Sequence, residues 1–282
     1  MFDNRALAGV ETGQELDNAG THLESSKYVD AAKSQKAVIK GLLALLEKIE
    51  ETQGLIGSDT EAALKLVRED DGIRALIITG AGRGFCSGDD MKESDPRDGA
   101  APPEKEVEIV WHTIVREMRA LPKPIIAAVN GIACGAGSGL VLGSDIRIAS
   151  TRARFADIFI RRGIAGGAYL LTHVVGTAKA LELTMTGDII EAHEACQLGI
   201  FNRVVDHDAL LPTALALAQR LASGPARSLA LTKAAVYKVE TLGLDEGLRV
   251  EEAAKLDSLK SADVREGIMA FVDKRGAAFK GR

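Results

Sequence analysis

Two glycine-rich stretches contain the residues best suited to bind a ligand or to catalyse a reaction. They are GAGRGFCSGDDMKE at Gly80–Glu93 and PKPIIAAVNGIACGAGSGLVLGSD at Pro122–Asp145. Each contains or follows a short apolar run, Ala75–Ile78 or Ile125–Val129, which predicts a buried strand that stops at a glycine turn and continues as a helix. Glycines directly after a strand let backbone N–H groups come close to a ligand. On neighbouring strands, two such turns could direct two N–H groups at one oxygen atom.

Two other interpretations of these glycines are weaker. TGAGRG at Thr79–Gly84 is similar to the phosphate turn of short-chain dehydrogenases, in which a pyrophosphate lies on a helix N-terminus. However, the glycine expected just past it is missing, and none of the three tyrosines has a lysine four residues later. Ser138 lies directly between Gly137 and Gly139, whereas a nucleophile elbow has its glycines two residues to either side. We therefore predict neither a dinucleotide fold nor a serine nucleophile.

Composition limits the classes of partner. The chain has 282 residues, 46% of them apolar, with a net charge of −5, so we expect no nucleic acid or membrane partner. Its apolar runs are shorter than the roughly 18–20 residues of a membrane span, and its polar start has no signal-peptide core. Cys86, Cys134 and Cys196 show no CxxC spacing, which argues against disulfides or a zinc site. We expect a soluble, cytoplasmic protein.

The elements around the two turns alternate between helix and strand. Apolar periodicity predicts an amphipathic helix over Ala31–Glu51, and Ser58 with Glu61 forms a capping box that opens a second helix. The next predicted elements are strand Ala75–Thr79, helix Val107–Leu121, strand Pro124–Val129, helix Ser138–Leu142 and strand Asp145–Ser150. Further helices are predicted over Ala178–Thr186, Ala192–Leu198, Asp208–Ala222, Ala226–Glu240, Asp245–Leu259 and Ala262–Phe271. This alternation predicts an α/β fold with mostly parallel sheets and helices packed outside.

Five ordered segments carry a family resemblance. They are GRGFCSGDDMKE from Gly82, LPKPIIAAVNGIACGAGSGLVLGSDIRIAS from Leu121, ARFADIFIRRGI from Ala153, TGDIIEAHEACQLGIFNRVV from Thr186 and FVDKRGAAFKGR from Phe271. From about Asp71 to Arg282 the chain resembles the crotonase superfamily, also called the enoyl-CoA hydratase/isomerase family. The resemblance implies a crotonase-like ββα spiral with a C-terminal helical trimerisation region. It also implies an acyl-CoA thioester substrate and no cofactor, since coenzyme A enters as part of the substrate.

The resemblance also implies a division of the chain. We expect an atypical N-terminal extension with an amphipathic helix at 1–52, a spiral core at 53–207 and a helical oligomerisation region at 208–282. The two strands and the NRP turn that normally open the family are not found before Thr52. Broad apolar faces on the C-terminal helices, such as the one with Leu229 and Val236, predict a homotrimer or a dimer of trimers.

In the family, a thioester carbonyl lies between two backbone N–H groups that stabilise an enolate. The matching catalytic positions here are Asp89, just after Gly88, and Ala136, in the middle of GAG. Preorganised donors of this kind contribute several kcal/mol. The resemblance places substrate-binding positions at Cys86, Ser87, Gly88, Asp90, Met91, Gly135, Gly137, Gly139, Phe159, Phe279 and Lys280. Phe279 and Lys280 would touch the nucleotide of coenzyme A from a neighbouring subunit, unless they belong to a frayed basic terminus.

The carboxylates of enoyl-CoA hydratases are missing. Of the two glutamates that position water, the first position is Gly139 and the second aligns with Phe159. Some isomerases use an acid a few residues past RRGI, but the segment IAGGAY is shorter here and has none. His112 and Asp157 are the candidate replacements. As alternatives, His112 is a surface residue of a helix and Asp157 a strand-end or interface carboxylate.

Asp145 and Asp90 match acids that hold the turns in the family, so we predict a structural role for both.

Three functions from different classes are compatible with the sequence. The leading hypothesis is an enzyme that acts on an acyl-CoA through an enolate, as a hydratase, isomerase or relative. A hydrolase or dehalogenase on the same scaffold is the second, because certain dehalogenases of the family also carry a histidine at the His112 position and glycine at the Gly139 position. A non-catalytic acyl-CoA binding protein is the third, because the glutamates are missing.

Overall fold

The structure is a computed structural model, which describes residues 56–88 and 107–281. The elements are α1 (Ile56–Glu69), β1 (Leu76–Thr79), β2 (Gly84–Cys86), α2 (Val107–Ala120), β3 (Ile125–Val129), β4 (Ile132–Cys134), α3 (Ala136–Gly143), β5 (Ile146–Ser150), β6 (Arg154–Ala156), a 3₁₀ helix (Phe159–Arg162), α4 (Ala168–Thr186), β7 (Ile189–Glu191), α5 (Ala192–Gln197), β8 (Arg203–Val205), a 3₁₀ helix (His207–Ala209), α6 (Leu210–Ala222), α7 (Ala226–Val239), α8 (Leu244–Ser258) and α9 (Ala262–Val272). The helix predicted over Ala31–Glu51 lies outside the described residues, as do Asp89, Asp90 and Met91.

The first sheet has the strand order β1-β3-β5-β8, and all its pairs are parallel. Its central strand β3 is buried along its whole length because helices cover both faces. Ile125, Ala127 and Val129 belong to the main core, whereas Ile126 and Ala128 face a second core under α6. This alternation is the period of two that a strand imposes. The predicted parallel α/β architecture is therefore confirmed.

The second sheet has the order β2-β4-β6-β7, with β7 antiparallel to β6 and the other pairs parallel. The sequence does not predict its strands, because three residues are too few to show a period. Each glycine stretch is therefore a corner between the two sheets and not a single strand–turn–helix. The chain leaves β1 for β2 at Gly80 and leaves β3 for β4 at Gly131. A side chain at Gly80 would overlap the Gly84 carbonyl oxygen, and one at Gly131 would overlap that of Arg83.

Asn130 fastens these two corners together. Its side-chain Nδ2 donates to the carbonyl oxygens of Gly80 and Gly82, at 3.0 Å each, and to that of Gly84 at 3.2 Å. Its Oδ1 accepts from the N–H of Gly80 at 3.2 Å. The glycine corners are thus held beside each other by one buried amide, which fixes where β2 and β4 begin.

The helix predictions mostly agree with the structure. Helix α1 begins at Ile56, two residues before the predicted capping serine, and α2 ends before LPKP as predicted. The exception is α4, which begins at Ala168 and not at Ala178. Gly176 interrupts it with φ 76° and ψ 164°, and this kink hides the helical period from the sequence. Within residues 56–88 and 107–281, no helix is long and apolar enough to cross a membrane.

The helices after α6 expose many large apolar side chains. They include Val236 on α7, Leu244, Leu248 and Leu256 on α8, and Ile268, Phe271 and Val272 on α9. Phe271 is 84% exposed. These faces agree with the apolar surfaces seen in the sequence, and assembly into trimers stays a prediction.

Candidate active site

The two glycine turns meet at the carboxyl edge of the second sheet. A Cβ atom on Gly88 would lie 3.2 Å from the Ala136 nitrogen and 3.5 Å from the Cys134 carbonyl oxygen. The Cys134 thiol lies 3.6 Å from the Ser87 carbonyl oxygen, to which it donates. Gly88, at φ 88°, and Gly135, at φ 59°, take backbone conformations that favour glycine. The structure thus brings together the predicted positions Ser87, Gly88, Gly135 and Ala136.

Ala136 is the first residue of α3, and its surroundings suit an anionic oxygen. The N–H of the first helical residue has no acceptor in a preceding turn, and the N-terminus of a helix carries partial positive charge. The side chain of the neighbouring Ser138 is not available to a ligand, because its hydroxyl donates to the Gly135 carbonyl oxygen at 2.7 Å. Asp89, which follows Gly88, lies outside the described residues.

Two glycines of α3 differ in the space around them. A side chain at Gly137 would overlap the Cys86 carbonyl oxygen and lie 2.8 Å from the Cys86 Cβ. At Gly139 the nearest atom to an added Cβ is the Val115 Cγ2, at 3.9 Å. Only Gly137 is therefore required for the close packing of α3 on β2. The packing would accept a small side chain at Gly139.

Asp157 follows β6 at the same edge of the sheet, and it is only 1% exposed. Among the described residues, neither carboxyl oxygen has a hydrogen-bond partner of acceptable geometry. Burial raises the pKa of Asp157 to about 6, and the nearby Phe159 N–H, which acts to lower the pKa, only partly opposes this effect. The carboxyl packs directly against Gly167, where any side chain would overlap it. Gly167 is not among the site residues predicted from the sequence, although the Gly166–Gly167 pair directly before a helix is a sequence signal of close backbone packing.

A glycine-rich segment, 158–167, covers Asp157. It begins with the 3₁₀ helix and ends at Gly167, the N-cap of α4, whose φ is 73°. Gly163 also has a positive φ, 70°, and most residues of the segment are exposed. The ring of Phe159, a predicted substrate-binding residue, is half-buried against Gly166 of the same segment.

His112 is exposed on α2. Val115, one turn later on that helix, is the side chain nearest to Gly139. Residues three apart share a helix face, so His112 lies on the same side of α2 as Val115, one turn before the contact with Gly139. Because His112 is exposed, it lies at the solvent-facing edge of the packing between α2 and α3, which agrees with the alternative of a surface histidine.

Asp145 has the structural role that the sequence predicted. Its Oδ2 accepts from the Ile125 N–H at 2.7 Å and pairs with the Lys233 ammonium at 2.8 Å. Its Oδ1 accepts from the Tyr237 hydroxyl at 2.7 Å. Desolvation raises the pKa of Tyr237 above its usual range, and the carboxylate adds to that effect. Asp145 thus ties the start of β3 to helix α7.

The predicted nucleotide contacts Phe279 and Lys280 lie in an ordered tail. The buried Asp263 of α9 accepts from the N–H groups of Lys280 and Gly281, both at 2.7 Å. The ring of Phe279 packs beside Gly267. These contacts hold the tail on its own chain's α9, so a frayed terminus is wrong for these residues. Contact with a nucleotide stays a prediction.

Comparison with known proteins identifies the family. The family model for enoyl-CoA hydratase/isomerase matches residues 55–282. The chain belongs to this family. A 1,2-epoxyphenylacetyl-CoA isomerase from Escherichia coli (strain K12) is 39% identical over 254 residues, which cover 87% of this chain and 97% of the relative. A probable mitochondrial enoyl-CoA hydratase from Dictyostelium discoideum is 36% identical, with coverage of 79% and 80%.

Solved structures agree with this assignment to the enoyl-CoA hydratase/isomerase family. A putative enoyl-CoA hydratase/isomerase from Mycobacterium abscessus has a TM-score of 0.77 and 30% identity, covering 84% of this chain and 93% of its own. A putative enoyl-CoA hydratase from Streptomyces coelicolor A3(2) has a TM-score of 0.75 and 34% identity, covering 80% and 84%. The predicted crotonase-like fold is confirmed, and with it an acyl-CoA enzyme of the hydratase/isomerase type.

Proposed function

We propose that this enzyme forms the enolate of an acyl-CoA thioester and holds the enolate oxygen between the backbone N–H groups of Asp89 and Ala136. The observation that carries the proposal is the close approach of Gly88 to the Ala136 nitrogen, at the point where α3 begins. Asp89 follows Gly88 directly in the sequence, and we propose its N–H as the second donor.

The enolate explains why backbone groups suffice. When a proton leaves the carbon next to the thioester, negative charge moves onto the carbonyl oxygen. Two preorganised N–H donors stabilise that charge by several kcal/mol without any side chain. The N-terminus of α3 adds a favourable partial charge at the same place. A site of this kind needs glycines that allow close packing, which is what Gly137 provides against Cys86.

Isomerisation suits these residues better than hydration. A hydratase of this family uses two glutamates to position water, and the matching positions are Gly139 and Phe159. An isomerase needs one group that removes a proton and returns it elsewhere. The relative that is 39% identical is itself named an isomerase, and several others are named hydratases. We therefore propose proton transfer on an acyl-CoA as the reaction class.

The test compares the wild-type enzyme with substitutions at two glycines of α3, and all activity assays are run in D₂O. The wild-type enzyme is incubated with crotonyl-CoA, a 3-enoyl-CoA and an aryl-CoA, and products are analysed by mass and by chromatography. We expect Gly137→Val to abolish turnover, because its side chain separates α3 from β2. Gly143→Ala is the matched control, since an added Cβ there meets Met118 at an ordinary contact distance of 3.4 Å. Binding of acyl-CoA without any deuterium uptake or product would instead support the binding-protein alternative.

A further inference from the structure

Asp157 is set apart from the other buried acids. Asp145 and Asp263 are also largely buried, but each accepts hydrogen bonds from two or more groups. The two oxygens of Asp157 are buried, and neither makes a hydrogen bond of acceptable geometry with the described residues, although the Phe159 N–H lies nearby. A buried polar group without a partner is costly, and such groups concentrate where a ligand or reactant supplies the partner.

Its place in the sheet brings Asp157 next to the second glycine turn. Cys134 of β4 pairs with Ala156 of β6, so Asp157 lies beside Gly135 in the parallel register. Neighbouring strands are about 4.8 Å apart. Asp157 is therefore one strand away from the residue that precedes the Ala136 N–H. No other carboxylate within residues 56–88 and 107–281 follows β2, β4 or β6 directly.

Gly167, at the start of α4, packs against the carboxyl. Its backbone, in the left-handed conformation, contacts the Asp157 carboxyl where any larger residue would overlap it. Steric contact at the start of α4 therefore positions the carboxyl. Neither oxygen makes a hydrogen bond of acceptable geometry, and the nearby Phe159 N–H only partly offsets the effect of burial, so the carboxyl can still accept a proton.

We infer that Asp157 is the catalytic base that removes the proton from the carbon next to the thioester and returns it to the substrate. This inference rests on the proposed enolate function. In the step, the C–H bond breaks and an O–H bond forms on Asp157, while the electron pair moves to the thioester oxygen held by the two N–H groups. The neutral Asp157 then returns the proton to the same carbon or to another one along the acyl chain, so atoms and charge balance without a further reactant.

Access to Asp157 runs through segment 158–167. The segment covers the carboxyl, is itself mostly exposed and has positive φ angles at Gly163 and Gly167. Such a glycine-rich, exposed segment is a low-cost place for movement. We infer that the bound acyl group displaces part of it and takes the place against the carboxyl.

The pH dependence follows from the buried carboxyl. With a pKa of about 6, Asp157 becomes a base as the pH rises through that value. The charged and titratable groups on Asp157's own strand and on the elements next to it are Cys134 on β4, Arg154 on β6, Arg161 and Arg162 on the 3₁₀ helix, Asp188 before β7, and Tyr169 and His173 on α4. None of them donates a hydrogen bond to the carboxyl. Proton exchange should therefore rise near pH 6.

The experiment measures deuterium uptake from D₂O into butyryl-CoA, which cannot be hydrated. Wild type, Asp157→Asn, Asp157→Ala, His112→Ala and the exposed control Asp208→Asn are compared from pH 5 to 8, with binding of butyryl-CoA measured by calorimetry. We expect Asp157→Asn to lose at least about 100-fold in exchange and the pH dependence near 6, while binding changes little. Formate should partly restore exchange in Asp157→Ala, which a structural role would not allow. Asp208→Asn should match the wild type.

The possible outcomes distinguish the role of Asp157 as a base from the enolate function on which that role rests. Exchange within about threefold of wild type in Asp157→Asn, or loss of exchange only in His112→Ala, would overturn the role of Asp157 and leave the enolate function intact. Loss of binding in parallel with exchange, without rescue by formate, would also overturn it. A wild-type enzyme that binds butyryl-CoA but exchanges no proton would overturn the proposed enolate function itself, and the inference with it.

Discussion

Two aspartates of this enzyme, the half-buried Asp145 and the buried Asp157, have opposite surroundings. Asp145 receives a backbone N–H, a tyrosine hydroxyl and a lysine ammonium, all within 2.8 Å. Asp157 makes no hydrogen bond of acceptable geometry with the described residues and has only the Phe159 N–H nearby. Asp145 directly precedes β5, and Asp157 directly follows β6. Burial alone therefore does not show whether a carboxylate stabilises the fold or is available to a substrate. Its hydrogen-bond partners distinguish the two roles.

The same contrast predicts opposite effects on stability. A charge whose partners are all in the protein stabilises the fold through them, and its removal leaves those partners unsatisfied. A charge without partners costs stability as long as it is ionised, and its removal relieves the fold.

The largest effect is expected at Asp145. Asp145→Ala leaves the Lys233 ammonium without its buried counter-charge and the Tyr237 hydroxyl without its acceptor. We expect a loss of about 3–5 kcal/mol in the free energy of unfolding, measured by urea denaturation. Asp188→Ala, at an exposed carboxylate, is the control and should change it by less than about 0.5 kcal/mol. A loss below about 1 kcal/mol for Asp145→Ala would show that the network contributes little.

The next effect is the pH dependence that Asp157 causes. Its pKa is about 6 in the fold, against the usual 3.8 of an aspartate in the unfolded chain. Well below pH 3.8 the carboxyl is protonated in both states, and the fold loses nothing. As the pH rises from 3.8 to about 6, the unfolded chain ionises while the buried carboxyl stays protonated, so the fold loses up to about 3 kcal/mol, and this loss stays constant above pH 6.

Asp157→Asn should remove this dependence. Unfolding free energies of wild type and variant are measured between pH 4 and 7.5, and the difference between them should grow in favour of the variant up to about pH 6 and then level off. Because the buried amide has its own unmet donors, the net gain at pH 7.5 should be about 1–2 kcal/mol. A variant that is less stable than wild type at every pH would mean that Asp157 supports the fold as Asp145 does.

A smaller effect is expected at Tyr237. Tyr237→Phe removes the hydroxyl that donates to Asp145 but keeps the ring, over which the Arg119 guanidinium lies at 4.4 Å. We expect a loss of about 1–2 kcal/mol in the free energy of unfolding, since one hydrogen bond to a charged acceptor is lost. Tyr169→Phe is the matched control, because Tyr169 is exposed. Equal melting temperatures for the two variants would argue against a structural role for this hydrogen bond.

The smallest effect concerns the tail held by a third buried aspartate, Asp263. Removal of Phe279–Arg282 exposes that carboxylate to water and should leave the fold intact. If Phe279 and Lys280 contact the nucleotide of coenzyme A, the dissociation constant for an acyl-CoA should rise by about fivefold, measured by calorimetry, which corresponds to about 1 kcal/mol. Asp263→Asn should reproduce part of this change by loosening the tail. An unchanged dissociation constant in both variants would exclude the tail from binding.

Elements with local signals could be predicted from the amino-acid sequence alone. The period of apolar residues identified α2, the proline pair after it marked its end, and β-branched runs identified β1 and β3. Glycine also carried local information, because Gly80, Gly88 and Gly131 are glycines for lack of space or for a positive φ. Resemblance of the motifs then indicated the family, and the family match over residues 55–282 confirms it.

Only the tertiary structure decided which residues come together. The three-residue strands β2, β4 and β6 exist because a neighbouring strand pairs with them, and a segment that short has no period of its own. The early start of α4 was hidden by the kink at Gly176, which a local pattern cannot cross. The isolation of Asp157 depends on Gly167, ten residues away, and on a pairing with β4 more than twenty residues earlier. Hydrogen-bond partners are set by contacts distant in sequence, so the contrast between Asp145 and Asp157 required the fold.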